Sequence, residues 1–539
     1  MIRGLVNNQD FIDLVYVGAG RDTSKRCLPG TREDILSEIK DWIDSTGEDV
    51  ERILWLSGTA GKGKSAIAHT ISNWVDDRAG LGAHFCFDRT REAERRHEKI
   101  FATIARDLAD RDPIIRRTLA NVIRDDNELR HTKDIMRQWK NFILAPVDAA
   151  SRAIDAPILM VIDGLDESGE PQSREHILRM LVAKADPFST ELTKFPAHFR
   201  VLVTSRPLDD IHRFLHDGQH VRHVSMDNIS PASAERDIQH YVSTRLANLG
   251  DAFNDSDFQI LAQKSDGMFE WARLACEYIK GSNRLSRSPR RNFNALVTGT
   301  SGNGIRLLDD MYRRTLAEII PEDDHEEAMP LFRSVMGQIL ASREPLSKDA
   351  LMAMRLHFVA AAQNYNVDDV IGPMSSLVTG TANSGVPIRP LHGSFYEFLT
   401  DESRSHRFFI DTSLVASDIA LASLRVMEDG LRFNICSLES SYLPNDAITD
   451  LEKRVKNYIP DALSYSCRFW GAHVGATPAE ALLVEEVKAF FDERLLLWME
   501  ALSLIKKAIG SAVQTLSFIK DWCQVCWLEL LLRPIHSYR

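Results

Sequence analysis

Long apolar runs, paired cysteines, a surplus of positive charge and internal repeats are all scarce or absent in this chain. Each shortage removes a class of function. No stretch approaches the ~18 consecutive apolar residues that a membrane span requires. The tail Leu516–Leu532 is apolar but broken by Lys520, Asp521 and Glu529 and reads as a helix seeking a partner or a core. The opening residues mix charged and polar side chains with short apolar runs, so no secretory leader is legible and a cytoplasmic protein is expected. The seven cysteines are odd in number and widely scattered, which fits reduced thiols and not a disulfide framework. Cys523 and Cys526 form a C-x-x-C pair, but in a helix-like apolar stretch with no second pair. Core packing is the expectation there. Lys and Arg total 65 against 77 Asp and Glu, a net charge of −12, so the chain is not built as a general nucleic-acid binder. The basic cluster Arg284 to Arg291 reads as a solvated loop. No period of 30–50 residues recurs, which leaves no propeller or solenoid in view.

The sequence does contain Gly58–Ser65, GTAGKGKS, directly after the apolar run Ile53, Leu54, Trp55, Leu56. This is G-x-x-x-x-G-K-[ST], the phosphate-binding loop of nucleoside-triphosphate proteins. Gly58, Gly61 and Gly63 allow the backbone to turn successive N–H groups of Thr59, Ala60, Lys62 and Ala66 toward one anion. Lys64 is placed to reach the β- and γ-phosphates, and Ser65 to hold Mg²⁺ through its hydroxyl. The helix that follows, with Ile67, Ile71, Trp74 and Val75 on one face, aims its positive end at the phosphates. By contrast, Leu14–Gly20 (LVYVGAG) only imitates a dinucleotide loop. Thr23 stands where the third glycine is needed, and a linker or short strand is expected.

At 539 residues the chain calls for about two to four domains. Thr31 with Asp34 three residues on gives a capping-box pattern, followed by Ile35, Ile39, Trp42 and Ile43 on one helical face, with Gly47 as the stop. Strands are expected at Ile53–Leu56, Ala83–Phe87, Ile158–Ile162 and Phe199–Val203, with a helix over Glu94–Asp110 and further helices between. Such alternation predicts a doubly wound α/β domain with helices on both faces of a parallel sheet. Beyond residue 230 helical periods dominate. The exception is Ser376–Arg389, where a β-hairpin around TGTANSG is one reading.

The strand Ile158–Ile162 delivers Asp163, then Gly164, Leu165, Asp166 and Glu167. An acidic residue at the end of a buried strand is what an Mg²⁺-triphosphate site requires. Asp163 would sit near the metal, and Asp166 or Glu167 within reach of a water attacking the γ-phosphate. Three carboxylates this close repel one another without a cation. The strand Phe199–Val203 ends in Thr204, Ser205 and Arg206. Arg206 suits a γ-phosphate because its planar fork matches phosphate oxygens; pairing with an acidic neighbour is the alternative. Thr204 or Ser205 could orient water.

These three motifs, in this order, resemble the NACHT family of STAND-class P-loop NTPases. Cys27–Arg32 (CLPGTR), Asp266–Ala272 (DGMFEWA) and Leu391–Leu399 (LHGSFYEFL) are similar to stretches of fungal members. The resemblance implies residues 1–27 as a linker, a nucleotide-binding domain over 28–228, a small helical domain over 229–300 and a winged-helix-like domain over 301–410. An α-helical region would follow over 411–539. It places His392 where related proteins set a histidine near the β-phosphate; a partly buried structural histidine is the equal alternative. It further implies a slowly hydrolysing switch loaded with Mg²⁺ and ATP or GTP, with self-association on activation, in NLR-like defence or incompatibility signalling. A turnover ATPase or kinase, and a scaffold that binds nucleotide without hydrolysis, are the other classes open. No effector domain is recognisable in residues 1–27 and no repeat array near the end, as a truncated paralogue would have it.

Overall fold

Five short strands carry the apolar runs between residues 53 and 225: β1 Ile53–Ser57, β2 Leu81–Cys86, β3 Ile158–Asp163, β4 Phe199–Ser205 and β5 Val221–Ser225. They form one sheet in the order β2-β3-β4-β1-β5 with every pairing parallel. The structure is a computed structural model, described for residues 25–45, 47, 49–78, 80–91, 95–151, 157–182, 199–216, 218, 220–281, 288–298, 304–321, 325–358, 366–381, 385–440, 442–505 and 509–532. The Leu14–Gly20 stretch and part of the Arg284–Arg291 cluster lie outside the described residues.

Successive strand residues face opposite sides of a sheet, and both sides are buried. Ile53, Trp55, Met160, Ile162, Val201 and Val203 enter one core, closed by helices α3 (Ile100–Arg111) and α4 (Pro113–Asp125) among others. Leu54, Leu56, Leu159, Val161 and Leu202 enter the other, closed by Ile39 and Trp42 of α1 (Glu33–Asp44) and Ile67 and Ile71 of α2 (Lys64–Asp77). Two-sided burial explains the unbroken apolar run of β3. The α/β class and parallel sheet are as expected.

Several boundaries differ from expectation. The strand expected at Ala83–Phe87 covers Leu81–Cys86, and the helix expected from Glu94 opens as a short 3₁₀ turn at His97–Lys99 before α3. Edge strand β5, with the mixed sequence VRHVS and half-exposed residues, carries too weak a period to be seen beforehand. The Thr31/Asp34 capping box does not form. The Thr31 hydroxyl donates to the Leu28 carbonyl at 2.7 Å, and Arg32, in the left-handed region at φ 60°, caps α1 without a side-chain bond. Arg32 is held there by long-range partners described below.

The chain divides into two compact units, Met1–Met311 and Tyr312–Arg539. The described residues of the second unit are mostly helical, and the hairpin reading of Ser376–Arg389 finds one antiparallel bridge, Val378–Pro390, with residues 382–384 outside the described ones. Pro387 and Pro390 have no N–H to extend a ladder. The Thr379 N–H donates to the Arg389 carbonyl at 2.8 Å, and the Thr379 hydroxyl accepts from the Arg389 N–H at 3.2 Å. The closing helix, Ile509–Leu532, packs on Asp461–Gly475, where the Trp522 indole donates to the Thr477 carbonyl at 2.8 Å. Among the described residues no helix is long and apolar enough to cross a membrane.

Candidate functional site

Between β1 and α2 the chain turns through Gly58, Gly61 and Gly63, all at positive φ. Gly63 stands at 94° as the N-cap of α2, and a side chain there would meet nothing within 4 Å. At Gly58 a Cβ would come within 2.7 Å of the Met226 Cβ, so close approach requires glycine. The result is a loop with an open concave face at the N-terminus of a helix, the form that receives a phosphate. Lys64 curls over it, its Nζ donating to the Gly58 carbonyl at 2.6 Å and the Thr59 carbonyl at 3.0 Å. Enclosure lowers the Lys64 pKa, opposed chiefly by the charge of Asp166.

Strand β4 lies between β1 and β3, yet the loop reaches the carboxylate of β3. The Ser65 hydroxyl donates to Asp163 Oδ1 at 3.0 Å, and Thr204 of β4 donates to the same oxygen at 2.5 Å. Thr204 in turn accepts from the Gly164 N–H at 2.9 Å. Asp163 is fully buried, and its Oδ2 makes no hydrogen bond. Burial works to raise its pKa, but His84 and His69, with the bonds from Thr204 and Ser65, outweigh it and hold the carboxyl below its ordinary value. Ser65 and Asp163 therefore meet as the sequence predicts. The Ser65 hydroxyl beside the Asp163 carboxylate is an oxygen donor set that fits Mg²⁺.

The other acidic residues are more committed. Asp166 accepts from the Arg206 backbone N–H at 3.1 Å and pairs with its Nε at 3.2 Å. Arg206 thus has the acidic partner that was the alternative reading. Glu167 accepts from the Arg89 N–H at 3.1 Å, and burial, with the charges of Asp166 and Asp88, pushes its pKa up to about 8. Ser205 accepts from the Trp55 indole at 2.8 Å, so both β4 hydroxyls are engaged inside the sheet.

The family model of the nephrocystin 3 N-terminal region matches residues 30–206. The vegetative incompatibility protein HET-E-1 of Podospora anserina is 23% identical over 513 residues, covering 87% of this chain and 34% of its own length. Over residues 30–206 the chain is similar to that N-terminal family, and over most of its length to a fungal incompatibility protein. The chain spans about a third of the length of that relative. A solved STAND protein with a tetratricopeptide repeat sensor, from Pyrococcus horikoshii, aligns at a TM-score of 0.38 and 12% identity. The alignment covers 90% of this chain and 60% of that one.

Several contacts to the loop lie outside the three motifs. Asp227, just after β5, accepts from the Thr59 N–H at 3.1 Å and the Thr59 hydroxyl at 2.9 Å. The Glu270 N–H donates to the Gly61 carbonyl at 3.2 Å, which places the DGMFEWA stretch against the loop. Buried Arg32 donates to the Lys62 carbonyl at 3.0 Å, its backbone N–H donates to Asp237 at 3.1 Å, and its guanidinium lies 4.7 Å from the Phe269 ring centre. The CLPGTR and DGMFEWA stretches were the available signals for Arg32 and Glu270; Asp227 had none. His392 belongs to the second unit. It caps the helix Gly393–Leu399, its Nδ1 lying 2.6 Å from the Ser394 hydroxyl, which is itself 2.8 Å from the Tyr312 hydroxyl.

Proposed function

We propose that this protein is a nucleotide-dependent signalling switch that binds a nucleoside triphosphate with Mg²⁺, hydrolyses it slowly and changes the arrangement of its domains. One observation carries the reading. A loop of left-handed glycines and a buried strand-end carboxylate, 98 residues apart in sequence, meet through the Ser65–Asp163 hydrogen bond. The loop amides of Gly58–Ala66 would grip the phosphates, and Lys64 would exchange two loop carbonyls for phosphate oxygens. Ser65 and Asp163 are the residues that would hold Mg²⁺, which when bound neutralises charge on the phosphates. Glu167 or Asp166 would orient a water, and Arg206 would leave Asp166 to reach a phosphate oxygen. His392 would report the diphosphate from the domain over 301–410.

The switch needs the loop to be felt elsewhere. Asp227, Arg32 and Glu270 each bond directly to residues 59–62, so a loop that reshapes around an anion must break or remake those bonds. Differential affinity for the two arrangements is then sufficient to drive a change of state. Residues 28–228 would be the nucleotide-binding domain, 229–300 the small helical domain, 301–410 the winged-helix-like domain and 411–539 the helical end. The role in incompatibility-type signalling is proposed from the fungal relative. The deciding experiment denatures purified protein and identifies the nucleotide released. Recovery of an adenine or guanine nucleotide near one per chain is expected, and a protein that neither carries nor takes up any nucleotide would sink the reading.

A further inference from the structure

We propose that His69, His84 and Asp163 form a second cation site, for a transition metal of the zinc class, beneath the phosphate loop. The three side chains come from α2, β2 and β3, and all are fully buried. One ligand atom of each lies within 4.8 Å of the other two. Two imidazoles and a carboxylate are a donor set that zinc accepts and that magnesium, which prefers oxygen, does not. The inference does not depend on nucleotide binding.

The hydrogen bonds around His84 bear on which of its nitrogens would ligate a metal. Ser72 has one hydroxyl proton and donates it to the Ala68 carbonyl at 2.9 Å. In its 2.7 Å contact with His84 Nδ1 the ring must therefore be the donor. With Nδ1 engaged by Ser72, Nε2 is the ring nitrogen that would ligate a metal. An outer hydrogen bond through one nitrogen and a lone pair on the other is the arrangement of a metal-ligating histidine. Asp163 is complementary: its Oδ1 takes the Ser65 and Thr204 hydroxyls, and its Oδ2 is buried without a hydrogen bond. A buried carboxylate oxygen without a hydrogen bond favours positive charge beside it. A divalent metal supplies that charge and engages His69 as well. The two imidazoles stack at 4.6 Å with 13° between planes, so one ring turns about its Cβ–Cγ bond for both to meet one ion.

The test uses the full chain, expressed in minimal medium with Zn²⁺ because the site is closed to solvent, then exchanged into buffer with excess Mg²⁺ and a weak chelator. Metal analysis is expected to find about one zinc per chain. Protein grown with Co²⁺ instead should show the visible absorption of cobalt bound by nitrogen and oxygen. His84→Ala and His69→Asn should each reduce retained zinc at least ~tenfold, while a double His212→Ala, His216→Ala variant, at two exposed histidines, should retain it. Wild-type protein that holds no zinc and shows no cobalt spectrum has only a proton between these groups, and the proposal fails. It fails equally if either His69 or His84 can be replaced without loss of metal. Should those variants not fold, the cobalt spectrum of the wild type decides alone.

Discussion

At Lys64 a cation is enclosed by the loop it serves, and its two carbonyl contacts at 2.6 and 3.0 Å hold it ready for exchange with phosphate. Lys64→Ala is expected to weaken triphosphate binding at least ~tenfold with the fold intact; calorimetric titration measures this, and equal affinity would remove Lys64 from the site. Glu167 has the opposite problem, since burial and two neighbouring carboxylates keep its proton on up to about pH 8. If its carboxylate orients water, hydrolysis should climb as pH rises through about 8. Glu167→Gln should bind normally, hydrolyse slowly and lose that rise; a variant with the wild-type profile would exclude the role. The sign for stability runs the other way. The folded protein binds this proton more tightly than the unfolded chain, so Glu167 stabilises the fold below the ordinary glutamate range, and that contribution is lost as pH rises toward about 8.

Among the elements, the glycine loop separates strain from collision. Gly63→Ala meets no atom but must hold a left-handed backbone at φ 94°, which costs about 1–2 kcal/mol. Gly58→Ala drives a methyl to within 2.7 Å of Met226, so denaturant unfolding should show a larger loss there. Equal losses would mean that Met226 gives way. Arg32 ties the start of α1 to the loop and to Asp237. Arg32→Leu strands the Lys62 carbonyl and removes the guanidinium 3.9 Å from the Asp237 carboxylate, which keeps the backbone N–H, with an expected loss of about 1.5–3 kcal/mol in the same measurement. The strand–loop–helix order here was legible from residues 53–75, because glycines and apolar periods act locally. The start of α1 was not. Its local capping signal at Thr31 gave way to contacts with residues 62 and 237, which no window around Thr31 contains.

For the whole molecule, two compact units divide at residues 311 and 312, and the proposed switch must couple them. Sedimentation of the purified chain with Mg²⁺ and a non-hydrolysable triphosphate should give a larger species than with the diphosphate. Identical mass in both states would remove nucleotide-driven self-association from the proposed function.

The primary structure alone determined that a strand, a glycine turn and a helix follow one another at residues 53–77. It likewise determined that a buried strand ends in Asp163, because backbone freedom and apolar period are written in neighbouring residues. Tertiary structure decided what those residues meet. It paired Arg206 with Asp166, gave Thr204 to Asp163, set Asp227 and Glu270 on the loop and brought His69 and His84 beside a buried carboxylate. Most of these contacts join residues far apart in sequence, and charges or hydrogen-bonding groups find such partners only when packing has excluded the water that would otherwise satisfy them.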